Sequence, residues 1–372
     1  MIAKTPIVRY TLLMQRTIRL KLTPSPAQVA NATKLHFLAY YAVRASLPTL
    51  NSNLINTARA KAAEALRSAF ALQMQKRKIG IPQSDSCPPS YNLHTYKVDW
   101  ESQTVRLSLV GGRQTIRFAV PAYCAHYAGH PVDTADLIHR DGGWWLHVVV
   151  NVPAPAVAPT DEIVGVDLGL AQPAVTSNNR FLGKPAWQAI EGRRRYLQRQ
   201  LQRKGTKSAK RHLRKLHEKQ VRFRRDCDHV LAKQIVLSAV SGATIVLENL
   251  TDIRQRAKIR KQPKTSRRVH SWSFAQLKGF VLYKAEGRGC TVAGVDPRHT
   301  SQTCSCCGHV ARNNRRSRGR FVCRGCGFEL HADLNAARNI AAKYHASVAR
   351  RDAGGLPVNQ PIGSMPSPRR RK

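Results

Sequence analysis

The sequence predicts an α/β domain that carries a small cysteine-rich module and follows a β-rich domain with a helical insertion. Three observations carry that expectation. Short apolar strands alternate with helical stretches after Pro159, residues 95–152 break into β-type runs, and two Cys-x-x-Cys pairs lie close together near the end of the chain. A chain of 372 residues is long enough for two or three compact domains. At 42% hydrophobic residues it has the apolar side chains to build their cores.

The β-rich part begins with Met14–Leu22, which alternates Ile18, Leu20 and Leu22 on one face with Arg19 and Lys21 on the other. That pattern is a half-buried strand with a basic outer face. Thr23-Pro24-Ser25-Pro26 follows, with Ser25 placed to cap a helix and Pro26 suited to its first turn. Helical stretches are expected around 26–46 and 53–77. In the second, Arg59, Lys61, Arg67, Lys76 and Arg77 read first as a solvated face. Gly80–Asn92, with Pro82, Pro88 and Pro89, reads as a linker. The runs TYKVDW, QTVRLSLV, QTIRFAV and WWLHVVVNV then read as strands, with turn signals at Gly111-Gly112 and Asp141-Gly142-Gly143. Pro153–Pro159 is a second linker.

Beyond it, Ile163–Gly169 (IVGVDLG), Thr244–Leu250 (TIVLENL) and Cys290–Asp296 (CTVAGVD) are short apolar strands. Asn178-Asn179 makes a hairpin turn between Ala174–Ser177 and Phe181–Leu182. Residues 186–240 read as long, densely basic helices, Ile253–Arg268 as a basic loop and Phe274–Gly287 as a helix. Strands alternating with helices imply an α/β sheet. The tail after Arg351 is rich in Pro and Gly, ends Arg369-Arg370-Arg371-Lys372, and is expected to be disordered.

The charge balance points to a partner. There are 62 Lys+Arg against 21 Asp+Glu, a formal +41. Such an excess opposes compaction unless a polyanion is bound, and nucleic acid is the usual one. An anionic membrane is the other candidate, but no run reaches the ~18 apolar residues of a spanning helix. Lys4, Arg9 and Arg16 interrupt every apolar stretch at the start, so a signal-peptide core is not expected and the chain reads as cytoplasmic.

Nine cysteines are present, five of them within residues 304–326. Cys304-x-x-Cys307 and Cys323-x-x-Cys326, separated by fifteen residues, place four thiolates around one tetrahedral zinc. Gly308 and Gly327 each follow a pair and leave the backbone free to turn its amides toward sulfur. Cys306 is the spare. With four protein ligands this zinc is structural. Arg312, Arg315, Arg316, Arg318 and Arg320 between the knuckles suit a nucleic-acid backbone.

In a chain with so few acids, their placement matters. Asp167 and Glu248 each end an apolar strand, and Asp333 opens a helical stretch seven residues after Cys326. A carboxylate in apolar surroundings is costly unless paired with a cation or a metal. Any one of the three alone reads as structural. Together they point to a magnesium site of hard oxygen ligands, the type that holds two ions about 4 Å apart in phosphodiester hydrolysis. Asp296 also ends a strand, but Pro297 follows it and a turn role suffices.

The segments GVDLGL, IVLENL, VDPRHTSQTCSCCG and CRGCGFELHADLNAARNI, in that order, resemble the TnpB family of transposon-encoded, RNA-guided nucleases related to compact type V CRISPR effectors. The resemblance covers residues 161–350 closely and the N-terminal half in outline. It implies an RNase H-like (RuvC) nuclease domain at 161–300 and 331–350 with the zinc ribbon inserted at 301–330. It further implies a β-barrel-like wedge domain at 1–24 and 90–160, a helical recognition lobe at 25–89, and a basic tail at 351–372. Asp167, Glu248 and Asp333 match the family's catalytic carboxylates, with Asp167 bridging two magnesium ions, Glu248 holding one and Asp333 the other. The implied partners are a guide RNA from a transposon end and double-stranded target DNA beside a short flanking motif, bound by a monomer with one RNA in a bacterial or archaeal nucleoid. Two other functions fit parts of the pattern: a guide-directed DNA-binding repressor with a silent site, and a transposon nuclease that needs no guide. The complete set of three carboxylates weighs against the first, and the basic excess against the second.

Overall fold

The computed structural model describes residues 13–32, 51–74, 80, 88–169, 172–250, 274–317 and 319–352. The chain divides into two compact units, Met1–Ala154 and Pro155–Lys372.

The first unit is built on a seven-stranded sheet whose pairings are all antiparallel. Its strands are β1 (Leu13–Thr23), β2 (Ser90–Tyr91), β3 (Tyr96–Asp99), β4 (Thr104–Leu109), β5 (Gly112–Ala119), β6 (Val132–Arg140) and β7 (Gly143–Pro153), in the order β2-β6-β7-β1-β5-β4-β3. Strand β1 is central, pairing with β7 along most of its length and with β5 at its end. Its alternation works as the sequence suggests: Ile18, Leu20 and Leu22 are buried with Leu107, Leu137, Leu146 and Val148. Strand β6 was not separated out by sequence pattern. A register shift between Val132 and Ala135 interrupts its alternation, which hides it.

Ser25 caps as expected. Its Oγ accepts from the Gln28 amide at 3.4 Å, while its own amide donates to Gln28 Oε1 at 2.9 Å. Residues 26–32 are helical, and the rest of the helix expected to 46 lies outside the described residues. Helix α1 (Ser52–Met74) buries Leu54 and Ala58 in the core. Lys61 is anchored, its Nζ 2.9 Å from Asp136 Oδ1, so this one of the five basic side chains is not simply solvated.

The second unit holds a five-stranded mixed sheet of β8 (Ile163–Asp167), β9 (Ala174–Thr176), β10 (Arg180–Leu182), β11 (Thr244–Glu248) and β12 (Thr291–Val295). The order is β10-β9-β8-β11-β12. β8, β11 and β12 are parallel, and the β9–β10 hairpin continues antiparallel from β8 through the turn expected at Asn178-Asn179. The helices are α2 (Pro185–Lys204), α3 (Lys207–Leu237), α4 (Phe274–Glu286) and α5 (Ala332–Asp352). Val164, Val166, Ile245 and Leu247 pack with Leu231 and Ile235 of α3 and Leu277 and Val281 of α4. Val246 and Val295 face Ile340 of α5 instead. Both faces of the parallel strands are therefore covered, which is why they read as continuous apolar runs. Helix α2 has no fully buried residue, packs Trp187 against the core, and is tied to α3 by the Glu191–Arg224 ion pair at 2.8 Å. Among the described residues no helix is long and apolar enough to cross a membrane. The basic loop at 253–268 and the tail beyond 352 lie outside the described residues.

One contact fixes α5 on the sheet. A Cβ added to Gly165 in β8 would lie 2.3 Å from the Ala337 carbonyl oxygen and 2.5 Å from the Ala341 amide nitrogen. Both obstacles are backbone, so the helix has to move for any larger residue. Gly165→Ala should cost about 1–3 kcal/mol and lower the melting temperature. Gly192→Ala, at a helical position with open space around it, should not. Equal melting temperatures for Gly165→Ala and the parent chain would contradict this packing.

Candidate active site

The cysteine module is a small ribbon. Strands β13 (Arg320–Val322) and β14 (Glu329–His331) pair antiparallel, and Phe321, Cys304, Cys323 and Ala332 form its core. So few apolar side chains cannot hold such a module alone. Buried Asn314 ties its two halves, donating to the Gln302 and His309 carbonyls and accepting from the Arg324 amide. Cys304, Cys307, Cys323 and Cys326 bring their sulfurs within 4.8 Å of one another. The Cys304–Cys326 and Cys307–Cys323 separations are 3.8 and 3.6 Å. Thiolates about 2.3 Å from one tetrahedral ion stand about 3.8 Å apart, so the four sulfurs fit such an ion. The amides of Cys326 and Gly325 point at Cys323 Sγ from 3.5 and 3.3 Å and hold its thiol down to about 6. Gly308 and Gly327 take the left-handed conformation expected of them, with φ of 77° and 74°. Cys306 is exposed and stands outside the group.

The three carboxylates come from different elements of the second unit. Asp167 and Glu248 end neighbouring parallel strands whose preceding residues, Val166 and Leu247, are register partners. Asp333 lies in the first turn of α5, the helix seated on Gly165. Burial pushes the Asp167 carboxyl up to about 8, with the negative charges of Glu248 and then Asp333 adding to it and Arg315 opposing. Burial also raises Glu248, against the Thr300 hydroxyl and the Lys343 charge. Thr300 Oγ1 donates to Glu248 Oε1 at 2.6 Å. Asp167 thus feels the charges of Glu248 and Asp333, although among the described residues only the cysteines form a group of three or more ligand atoms within 4.8 Å. Hard oxygen donors whose charges repel fit a divalent cation, which relieves the repulsion.

Asp296 takes the turn role expected of it, accepting the Arg298 amide at 3.1 Å. The ribbon arginines divide in a way the sequence did not anticipate. Arg315 turns inward, its Nη2 2.7 Å from Asp333 Oδ1, and Arg320 pairs with Glu329 at 2.6 Å. Nothing local to Arg315 in sequence is acidic, so in sequence it is indistinguishable from the other basic tip residues. Its bridge pairing with Phe321 is what brings it to α5.

Asp167 sets a pH dependence with a definite sign. Its folded value lies above the ordinary carboxylate value of about 4. The stability it contributes is therefore full below that value and lost as pH rises through about 8. With zinc retained and other divalent ions absent, Asp167→Asn should melt above the parent chain by a margin that widens from about pH 5 to about pH 9. Added divalent cation should narrow that margin at the higher pH. A margin independent of pH would contradict the placement of Asp167 among its neighbours.

Residues 147–254 match the family model described as "Probable transposase", and residues 274–340 match "Cas12f1-like, TNB domain". The CRISPR-associated endodeoxyribonuclease Cas12f1 of Sulfoacidibacillus thermotolerans is 33% identical over 236 residues, covering 57% of this chain and 53% of the relative. A TnpB-like protein of Methanocaldococcus jannaschii is 30% identical over 144 residues, 38% of this chain and 45% of that protein. The chain spans about half the length of the curated relatives it matches. The cryo-EM structure of a Cas12f1-sgRNA-target DNA complex shares its fold, with a TM-score of 0.54 and 17% identity over 84% of this chain and 79% of that one. Over the segments that carry the ribbon and the strand carboxylates, the chain is similar to proteins named Cas12f1 and TnpB-like.

Proposed function

We propose that this protein is an RNA-guided DNA endonuclease whose second unit is an RNase H-like (RuvC) nuclease with an inserted zinc ribbon. The observation that carries this reading is the placement of Asp167 and Glu248 at the ends of neighbouring strands with Asp333 close by, where burial first, and then the charges of Glu248 and Asp333, raise the Asp167 carboxyl. The strand order, with one antiparallel hairpin beside three parallel strands, supports it, as do the relatives named endodeoxyribonucleases. The first unit's sheet, from β1 and residues 90–153, serves as the wedge domain, and the helical residues between them as the recognition lobe.

Cys304, Cys307, Cys323 and Cys326 would hold a structural zinc, and Asp167, Glu248 and Asp333 would hold two magnesium ions, which when bound would activate a water and neutralise charge at the leaving oxygen. The protein's part is positional. Thr300 donates to Glu248, and Arg315 holds Oδ1 of Asp333. Arg315 also keeps a fixed positive charge beside the place a scissile phosphate would occupy. The α2–α3 hairpin, dense in exposed Arg and Lys from 193 to 225, grips the backbone of the guide–target duplex. The guide is an RNA from a transposon end, pairing selects the double-stranded target, and the protein works as a monomer with one RNA in the cytoplasm.

Sequencing the RNA that copurifies with the protein, then assaying cleavage of a matched target, tests the reading. Asp167→Ala should reduce cleavage to background while leaving RNA and target binding intact. Binding should weaken steeply with salt, log affinity falling by about 0.7–0.9 per phosphate contact for each tenfold rise. Cutting by Asp167→Ala in magnesium would refute the site. A parent chain that binds its matched target without cutting would make it a silent-site binder, and cutting without RNA would make it a guide-independent nuclease.

A further inference from the structure

The loop from residue 296 to residue 305 joins β12 to the first zinc knuckle, and one stripe of α5 holds it. Asn335 Nδ2 donates to the Thr303 carbonyl at 2.8 Å, and Asn335 Oδ1 accepts from the Ser305 amide at 3.0 Å. Asn339 Nδ2 donates to the Thr300 and Thr303 carbonyls at 2.8 and 2.7 Å. Lys343 Nζ donates to the Asp296 and Arg298 carbonyls, both at 2.8 Å. Positions 335, 339 and 343 repeat every fourth residue and so share one helix face. Asn335 and Asn339 are buried, and a buried amide is costly unless its hydrogen bonds are made. The loop is therefore fixed to the helix that carries Asp333.

Thr300 is buried on that loop, its hydroxyl 2.6 Å from Glu248 Oε1 and 2.9 Å from the Pro297 carbonyl. A hydroxyl has one proton to give, and an ionised carboxylate is the stronger acceptor. We propose that Thr300 is a positioning residue for Glu248, held in place by Asn339, so that α5 sets the location of two of the three carboxylates. The proposal rests on the nuclease reading above. Asp333 is placed by the helix directly, and Glu248 through Asn339 and Thr300. The same loop delivers Cys304, so the knuckle and Glu248 share one support.

The test uses the full-length, zinc-loaded chain free of nucleic acid, with Mn²⁺ as the probe and free Mn²⁺ counted by electron paramagnetic resonance. Thr300→Val keeps the shape and removes the hydroxyl, whereas Thr300→Ser keeps the hydroxyl. Thr300→Val should weaken Mn²⁺ binding by roughly 10–100-fold, the usual cost of losing a group that orients a metal ligand. Thr300→Ser should restore it, with zinc content and melting temperature unchanged in both. In a Glu248→Ala background, Thr300→Val should have no further effect, because the acceptor of its hydroxyl is gone. Parent-like Mn²⁺ binding by Thr300→Val, equal weakness in Thr300→Ser, or the same loss in the Glu248→Ala background would each overturn the proposal. A parent chain that holds zinc but no Mn²⁺ overturns the nuclease reading itself, and the proposal with it.

Discussion

The approach of α5 to β8 at Gly165 is the constraint on which the second unit depends. No side chain stands between the strand and the helix backbone there, so the helix lies closer than any other residue would permit. That closeness brings Asp333 near Asp167, two residues beyond the glycine. It also seats Ile340 on Val246 and Val295 and brings the polar stripe of Asn335, Asn339 and Lys343 to the loop from β12. Packing, carboxylate placement and the ribbon's attachment follow from one steric fact.

The electrostatics are arranged against the grain of the chain. A protein with 62 basic and 21 acidic residues buries Asp167 and Glu248 where the charged form is disfavoured, and sets the charges of Glu248 and Asp333 against Asp167. Such an arrangement destabilises the unliganded fold and is tolerated at functional sites. Local groups moderate it: Arg315 pairs with Asp333, and Thr300 and Lys343 favour the ionised form of Glu248. Two donor sets of opposite chemistry then sit on one helix-and-loop frame: four soft thiols within 4.8 Å of one another, and three hard carboxylates.

Much of this was legible in the sequence. The parallel strands are buried on both faces and read as unbroken apolar runs. The cysteine spacing picked out the four cysteines whose sulfurs come together and left Cys306 aside. Proline after Asp296 marked a turn, and the turn is there. What was not legible depends on contacts distant in sequence. A bulge hid β6, since alternation cannot be followed through it. Arg315 looked like one more basic tip residue until the strand pairing turned it toward Asp333. Asn335 and Asn339 look solvent-facing in an alanine-rich helix, yet both are buried because a loop's carbonyls meet them. Thr300 carried no signal at all, because a lone threonine has no motif.

The central claim is that Asp167, Glu248 and Asp333 form one divalent-metal centre separate from the four-cysteine site. Anomalous diffraction from crystals grown with manganese, recorded at the zinc and manganese edges, tests it most directly. A zinc peak within the four cysteines and manganese density in contact with Asp167, shared with Glu248 or Asp333, is the expected result. Zinc at the cysteines with no manganese among the carboxylates would contradict it.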